Sequence, residues 1–168
     1  ISDNKLPKIL LKKLIKSLGR YELKVYKLNS SEKTKSLNVA NKIIEKLLED
    51  NFNRSDCVIA FGGGVIGDLS AFISSLVKRG VKFINVPTTL LAQVDASIGG
   101  KTGINTNQGK NLIGTFYQPD FILTDVSILK SLPTREMISG YGEILKHSLI
   151  LDRNFFFWLS KNAKKIIN

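Results

Sequence analysis

Residues 57–68 read Cys57-Val58-Ile59-Ala60-Phe61-Gly62-Gly63-Gly64-Val65-Ile66-Gly67-Asp68, a short apolar run that meets three glycines and then resumes as a second apolar pattern. The run over residues 57–61 has the length and character of a buried strand, and residues 65–78 carry helical spacing. A strand that turns through glycine into a helix leaves the free N–H groups of the first helical turn at the strand's carboxyl end, where a pyrophosphate can approach the backbone. Gly62, Gly64 and Gly67 satisfy G-x-G-x-x-G. The same letters also describe a plain tight turn. The acid that standard dinucleotide sites carry about 20 residues further on is missing, since no Asp or Glu occurs between Asp68 and Asp95. A standard Rossmann site is therefore disfavoured, and another nucleotide geometry is needed.

On the N-terminal side, Ile1-Ser2-Asp3-Asn4 reads as the tail of a strand, and residues 6–18 as a helix with Pro7 in its first turn and Gly19 as its stop. Residues 21–28 alternate as a strand, and residues 35–51 carry Leu37, Ala40, Ile44, Leu47 and Leu48 at helical spacing. On the C-terminal side, residues 81–86 and 120–124 read as strands, and residues 133–150 and 154–167 as helices. This alternation predicts an α/β fold: a Rossmann-like parallel sheet with helices on both faces, holding ligands at the carboxyl ends of its strands. Residues 87–119 are rich in Gly, Thr and Asn and far longer than an ordinary connection; stretches of that kind inside compact domains are usually functional.

Composition narrows the function classes. A chain of 168 residues that is 43% hydrophobic has enough apolar surface for a buried core. No stretch approaches the roughly 20 apolar residues of a bilayer span, and the N-terminus lacks a signal-peptide layout. Cys57 is the single cysteine, so no disulfide framework exists within the chain, and a cytoplasmic location is the expectation. The net charge of +11 raises the question of nucleic acid. Its lysines, however, are dispersed along amphipathic helical segments without aromatic interleaving. Neither nucleic acid nor membrane is the expected partner; the charge reads as a solvated surface, with attraction of a small anion as its functional alternative.

Three further groups carry chemistry. Asp95-Ala96-Ser97-Ile98-Gly99-Gly100-Lys101-Thr102-Gly103 has the Gly-Lys-Thr of a P-loop, but Asp95 stands where that motif needs its first glycine, which disfavours ATP or GTP hydrolysis. Lys101, Lys110 beside Asn111, and Lys146 sit among glycines and polar groups in a way that suits a multiply charged small anion. Glu143, Lys146 and His147 share one helix face by their i, i+3 and i+4 spacing. A carboxylate and a histidine one turn apart can ligate zinc, but the same spacing describes an ordinary surface pair, and one histidine with scattered carboxylates does not by itself complete a tetrahedral site.

Taken in order and at their spacing, FGGGVIGDLSAF, KRGVKFINVPTTLLAQVDASIGGKTGIN, GKNLIGTFYQP and GEILKH resemble the N-terminal half of the 3-dehydroquinate synthase family, with a weaker match at Asp3-Asn4 and Glu32-Lys35-Ser36. The resemblance implies an NAD-binding α/β domain over residues 1–132, its first strand truncated, followed over residues 133–168 by the first helices of a helical metal- and substrate-binding domain. It implies NAD contacts at Asp3, Glu32, Lys35, Gly63, Gly64, Val65, Asp68, Thr88 and Thr89. Asp3 and Glu32 would take the adenosine hydroxyls in place of the missing ribose acid. Asp95, Lys101, Lys110 and Asn111 would lie where cofactor meets substrate, Lys146 would contact substrate, and Arg79 would reach the phosphate of a partner subunit's substrate. Glu143 would be a zinc ligand. Two further ligands, histidines in the family's C-terminal domain, have no counterpart here, and His147 matches no metal position of the family motif and reads as structural.

The implied activity is a lyase reaction of the shikimate pathway: NAD- and metal-dependent cyclisation of 3-deoxy-D-arabino-heptulosonate 7-phosphate, a phosphorylated seven-carbon keto acid, to 3-dehydroquinate with loss of phosphate. A homodimer is implied at full length. The chain looks truncated, and by itself it is expected to bind NAD, retain no zinc, lack cyclase activity and leave an interdomain surface exposed. Other sugar-phosphate cyclases, polyol or polyol-phosphate dehydrogenases, and a non-catalytic nucleotide-binding module are the alternatives. Ala96, where serine is expected after Asp95, is a small departure from the family pattern.

Overall fold

The structure is a computed structural model and describes residues 1–167. Five parallel strands form the main sheet in the order β2-β1-β3-β4-β7: β1 (Ser2–Asp3), β2 (Lys27–Leu28), β3 (Cys57–Gly62), β4 (Lys82–Pro87) and β7 (Phe121–Ile122). A separate antiparallel pair, β5 (Ile104–Thr106) and β6 (Gly109–Ile113), stands apart from it. The helices are α1 (Lys8–Ser17), α2 (Leu37–Glu49), α3 (Gly64–Leu76), α4 (Thr134–Leu151) and α5 (Arg153–Ile167). The Rossmann-like expectation holds.

Alternation along the central strands divides the core between two faces. Val58, Ala60 and Phe83 pack with Ile66, Ala71 and Val77 beneath α3, and Ala40, Ile43 and Leu47 of α2 join Leu69, Phe72 and Ile73 beside them. Phe61 and Val86 point the other way, against Leu10, Leu11 and Leu14 of α1 and Ile128 of a short 3-10 helix, Val126–Ser131. α2 begins cleanly because Ser36 caps it, its hydroxyl accepting from the Val39 N–H. On α4 and α5 the apolar residues Leu149, Ile150, Leu151, Phe157 and Trp158 stand exposed.

The strand predicted over residues 21–28 shrinks to Lys27–Leu28. Ser2 pairs with Lys27 and Asp3 with Leu28, so in this register residues 21–25 would lie opposite positions that precede Ile1. The long segment after β4 is not a loose loop. It begins with a π-helical turn, Ala92–Ala96, and continues into the β5–β6 hairpin, whose connection is Asn107-Gln108. The 3-10 helix at Val126–Ser131 has no counterpart in the apolar pattern of the sequence.

Candidate active site

The register lines up the strand ends from which the site is built. Ser2 pairs with Phe61, Asp3 with Leu28, and Gly62 with Pro87. Asp3, the 62–64 glycine turn and Thr88 therefore leave the sheet at one level, on the side where parallel α/β folds hold ligands. Thr88 continues the pairing, its N–H donating to the Gly62 carbonyl at 2.9 Å. The glycines are required by crowding: a Cβ on Gly62 would sit 2.6 Å from Ile66, and one on Gly63 would sit 3.0 Å from Thr89. Bare backbone at Gly63, Gly64 and Val65 thus opens α3, with the partial positive charge of a helix start.

Beside this turn lies a buried polar knot. Lys35, only 4% exposed, donates from its ammonium to Asp68 of α3 and to the Asn111 side chain on the hairpin, the latter at 2.6 Å. Burial pushes the Asp68 carboxyl up, against the pull of the Lys35 ammonium. Asn111 holds a left-handed backbone (φ 55°), uncommon for a residue other than glycine, so its side chain is aimed at Lys35 at some local strain. Asn105 clamps the same corner: its N–H donates to the Lys35 carbonyl at 2.7 Å and its side-chain amide to the Glu32 carboxylate at 3.0 Å. Asp3 accepts the Ser30 hydroxyl and the Lys5 N–H. Among the described residues the buried Thr88 hydroxyl has no hydrogen-bond partner, an orphaned polar atom in the row of residues implied for the nucleotide. Donor-rich backbone, half-buried carboxylates and that orphaned hydroxyl suit a dinucleotide.

A second cluster forms where α4 crosses the π-helical turn. Asp95 comes from the turn, Glu143 and His147 from α4, and one ligand atom of each lies within 4.8 Å of the others. His147 Nε2 is 3.4 Å from Glu143 Oε1, and the Lys146 ammonium also contacts Glu143. The hydrogen bond from Lys146 holds the Glu143 carboxyl below its ordinary value, and the same bond raises Lys146. Two carboxylates and an imidazole are a donor set that zinc and similar divalent ions accept.

Lys101 and Lys110 lie exposed on either side of the hairpin region, Lys101 bridging to Phe116 and Lys110 on β6. Arg79 does not join the cluster. It sits past the far end of α3, which carries it roughly 20 Å from the glycine turn by helix rise alone. His147, structural by the family resemblance and paired with Glu143 by its i+4 spacing, stands 3.4 Å from the Glu143 carboxylate. Asn105, which ends the KRGVKFINVPTTLLAQVDASIGGKTGIN stretch but has no role implied by it, is central to the Glu32–Lys35 corner.

Fold and site define a parallel α/β domain built to hold a ligand at its strand ends, with a metal-competent cluster at one side. Residues 25–139 match the family model for the N-terminal part of 3-dehydroquinate synthase, and the chain belongs to that family. A curated relative, the 3-dehydroquinate synthase of Pelagibacter ubique, is 55% identical over 167 residues, covering 99% of this chain and 45% of the relative. The chain thus spans less than half the length of the curated relatives it matches. Among solved structures, 2-epi-5-epi-valiolone synthase from Streptomyces hygroscopicus subsp. jinggangensis, with NAD+ and Zn2+ bound, superposes with a TM-score of 0.91 at 27% identity over 99% of this chain and 47% of that one. 2-Deoxy-scyllo-inosose synthase, in complex with carbaglucose-6-phosphate, NAD+ and Co2+, gives 0.82 at 29% identity over 86% of this chain and 40% of that one.

Proposed function

We propose that this chain is the nucleotide-binding half of a 3-dehydroquinate synthase, a lyase of the shikimate pathway that converts 3-deoxy-D-arabino-heptulosonate 7-phosphate to 3-dehydroquinate with loss of phosphate. The observation that carries the reading is the alignment of Asp3, the 62–64 glycine turn and Thr88 at one level of the sheet, with Glu32 and Lys35 at the adjoining corner. That arrangement supplies two carboxylates for sugar hydroxyls and free N–H groups for a pyrophosphate, and it removes the need for a ribose acid after β4. NAD, with Gly63, Gly64, Val65, Asp68, Thr88 and Thr89 along its path, is the nucleotide assigned.

NAD and a divalent metal, when bound, supply a transient oxidation of a ring hydroxyl that acidifies the neighbouring C–H and lets phosphate leave. This chain's residues bind and orient. Glu143 is a metal ligand; Asp95 and Asn111 border the substrate; Lys101, Lys110 and Lys146 offer positive charge to an anionic substrate. Residues 133–168 begin the second domain, of which Asn168 lies outside the described residues. A cytoplasmic homodimer is the proposed full-length state, with Arg79 at the subunit boundary.

The experiment is calorimetric titration of the chain with NAD+, with ATP as control. Selective uptake of NAD+ is the expected result. Failure of a folded chain to bind, together with failure of the longer protein, overturns the reading.

A further inference from the structure

Between α3 and β4 the backbone is unusual at three residues running. Lys78 (φ 51°), Arg79 (φ 67°) and Gly80 (φ 110°) all lie on the left-handed side of backbone space. The Gly80 N–H donates to the Val77 carbonyl at 3.0 Å, so Lys78 and Arg79 are the two central residues of a tight turn with positive φ at both, the sign of type I′. Such turns ordinarily carry Asn, Asp or Gly at the centre, because a Cβ is crowded there. Here both central places hold long exposed cations, and neither forms an ion pair among the described residues. Strain of this kind persists only where the surroundings over-determine it, and it gathers at sites where a group must be aimed.

The surroundings of this turn do hold it. Val77 and Val81, both buried, anchor its two ends in the core, and the Val81 N–H reaches back to the Ser74 carbonyl of α3 at 3.0 Å. The Arg54 guanidinium donates to the Lys78 carbonyl at 3.2 Å, and the Tyr117 hydroxyl donates to the Val81 carbonyl at 2.7 Å. A Cβ on Gly80 would stand 3.2 Å from that same hydroxyl, so the turn and Tyr117 are fitted to each other. We propose that the Val77–Gly80 turn is a rigid mount that aims Arg79 away from its own sheet at a phosphate group held by a second copy of the chain, with Arg54 and Tyr117 as its positioning residues.

The inference rests on the placing of Arg79 at the subunit boundary and adds the device that holds it there. Arg79 lies roughly 20 Å from this chain's own glycine turn by helix rise, which suits a cation that serves a neighbouring site. A backbone fixed in advance leaves only side-chain rotamers to be ordered when the anion arrives, so the contact loses less entropy than one from a loose loop.

The test uses a form that carries the remaining domain, assayed by 3-dehydroquinate formation with inorganic phosphate as a competing probe. Arg79→Gln is the reference variant: KM for the phosphorylated substrate and Ki for phosphate should rise by about tenfold or more, the scale of one hydrogen bond to a charged group. Tyr117→Phe and Arg54→Gln should each raise both constants by about two- to tenfold, the scale of one ordinary hydrogen bond, with NAD+ affinity and kcat as in wild type. In the 168-residue chain, Lys78→Asn places a residue that tolerates the left-handed turn and should raise the melting temperature. No turnover in the wild type, or an unchanged KM in Arg79→Gln, overturns the inference together with the reading of Arg79. An effect in Arg79→Gln beside wild-type constants in both Tyr117→Phe and Arg54→Gln overturns the mount alone. So does a Lys78→Asn chain that melts at or below the wild-type temperature, and so does a loss of NAD+ affinity in the two positioning variants as large as their change in KM, which marks a general structural role.

Discussion

Gly140 of α4 passes so close to Leu90 that a Cβ on the glycine would stand 2.6 Å from the Leu90 Cβ and from the Leu91 backbone nitrogen. This contact seats α4 against the segment that leads into the π-helical turn, and through it brings Glu143 within reach of Asp95. Gly140→Ala meets backbone as well as side chain there, so α4 must shift. Overpacking of this kind costs about 1–3 kcal/mol. Urea denaturation should show that loss. Wild-type stability would show that the contact positions nothing.

Lys35→Met removes a buried cation that joins α3 to the hairpin through Asp68 and Asn111. Breaking a buried pair by deleting one partner is destabilising by about 3–5 kcal/mol, since the other charge is left without compensation. Denaturant unfolding measures the loss, and hydrogen exchange should quicken in residues 104–113. A change below about 1 kcal/mol, the scale of an exposed pair, would mean that the knot contributes little.

Asp68 gives a pH dependence of defined sign. Burial raises its folded-state pKa, so the folded chain binds the proton more tightly than the unfolded one. The associated stabilisation is complete below the ordinary Asp value of about 3.9 and fades as pH rises through the raised value. Asp68→Asn lacks this term. The stability of the variant relative to wild type should therefore improve as pH climbs above the ordinary carboxylate range, and a constant or reversed difference in paired melting curves contradicts the assignment.

Thr88→Val discriminates a structural hydroxyl from a ligand-facing one. The hydroxyl is buried and has no partner among the described residues, so removing it should leave the free chain as stable or slightly more stable. NAD+ affinity, by contrast, should fall. A marked loss of stability, or unaltered NAD+ binding, would each contradict the role given to Thr88.

If the proposed synthase activity holds in a form that carries the remaining domain, Glu143→Ala or Lys146→Ala should abolish turnover. Steady-state assay of phosphate release checks this, and activity like wild type in a variant removes that residue from the site.

The central unit, β3-α3-β4, is readable because its apolar periods are long and its punctuation at Gly62 and Gly63 is set by crowding against Ile66 and Thr89. The segment after β4 was recognised as functional but not as a hairpin, because Asn107-Gln108 is a turn without the glycine that usually advertises one and β6 carries a left-handed Asn111 that breaks simple alternation. The shortness of β2 depends on register with residues near Ile1, a non-local fact. At the site, motif letters located Glu143 and Asp95 separately, whereas their meeting depends on how α4 crosses the π-helical turn, and the same crossing gives His147 its neighbours. Arg79 illustrates the converse, a residue adjacent in sequence to the site's strands but delivered by α3 to the opposite rim.

The β5–β6 hairpin has a consequence for the order of assembly. It is a sheet of its own, and its tethers to the Glu32–Lys35 corner link residues as many as 76 positions apart in the chain. Contacts that close so large a loop form after local ones have reduced the entropy of closure. The β3-α3-β4 unit can therefore act as the folding nucleus while the 104–113 ribbon docks late. Newly synthesised chains would then pass through a stage in which the sheet exists and the wall beside the Lys35 knot does not.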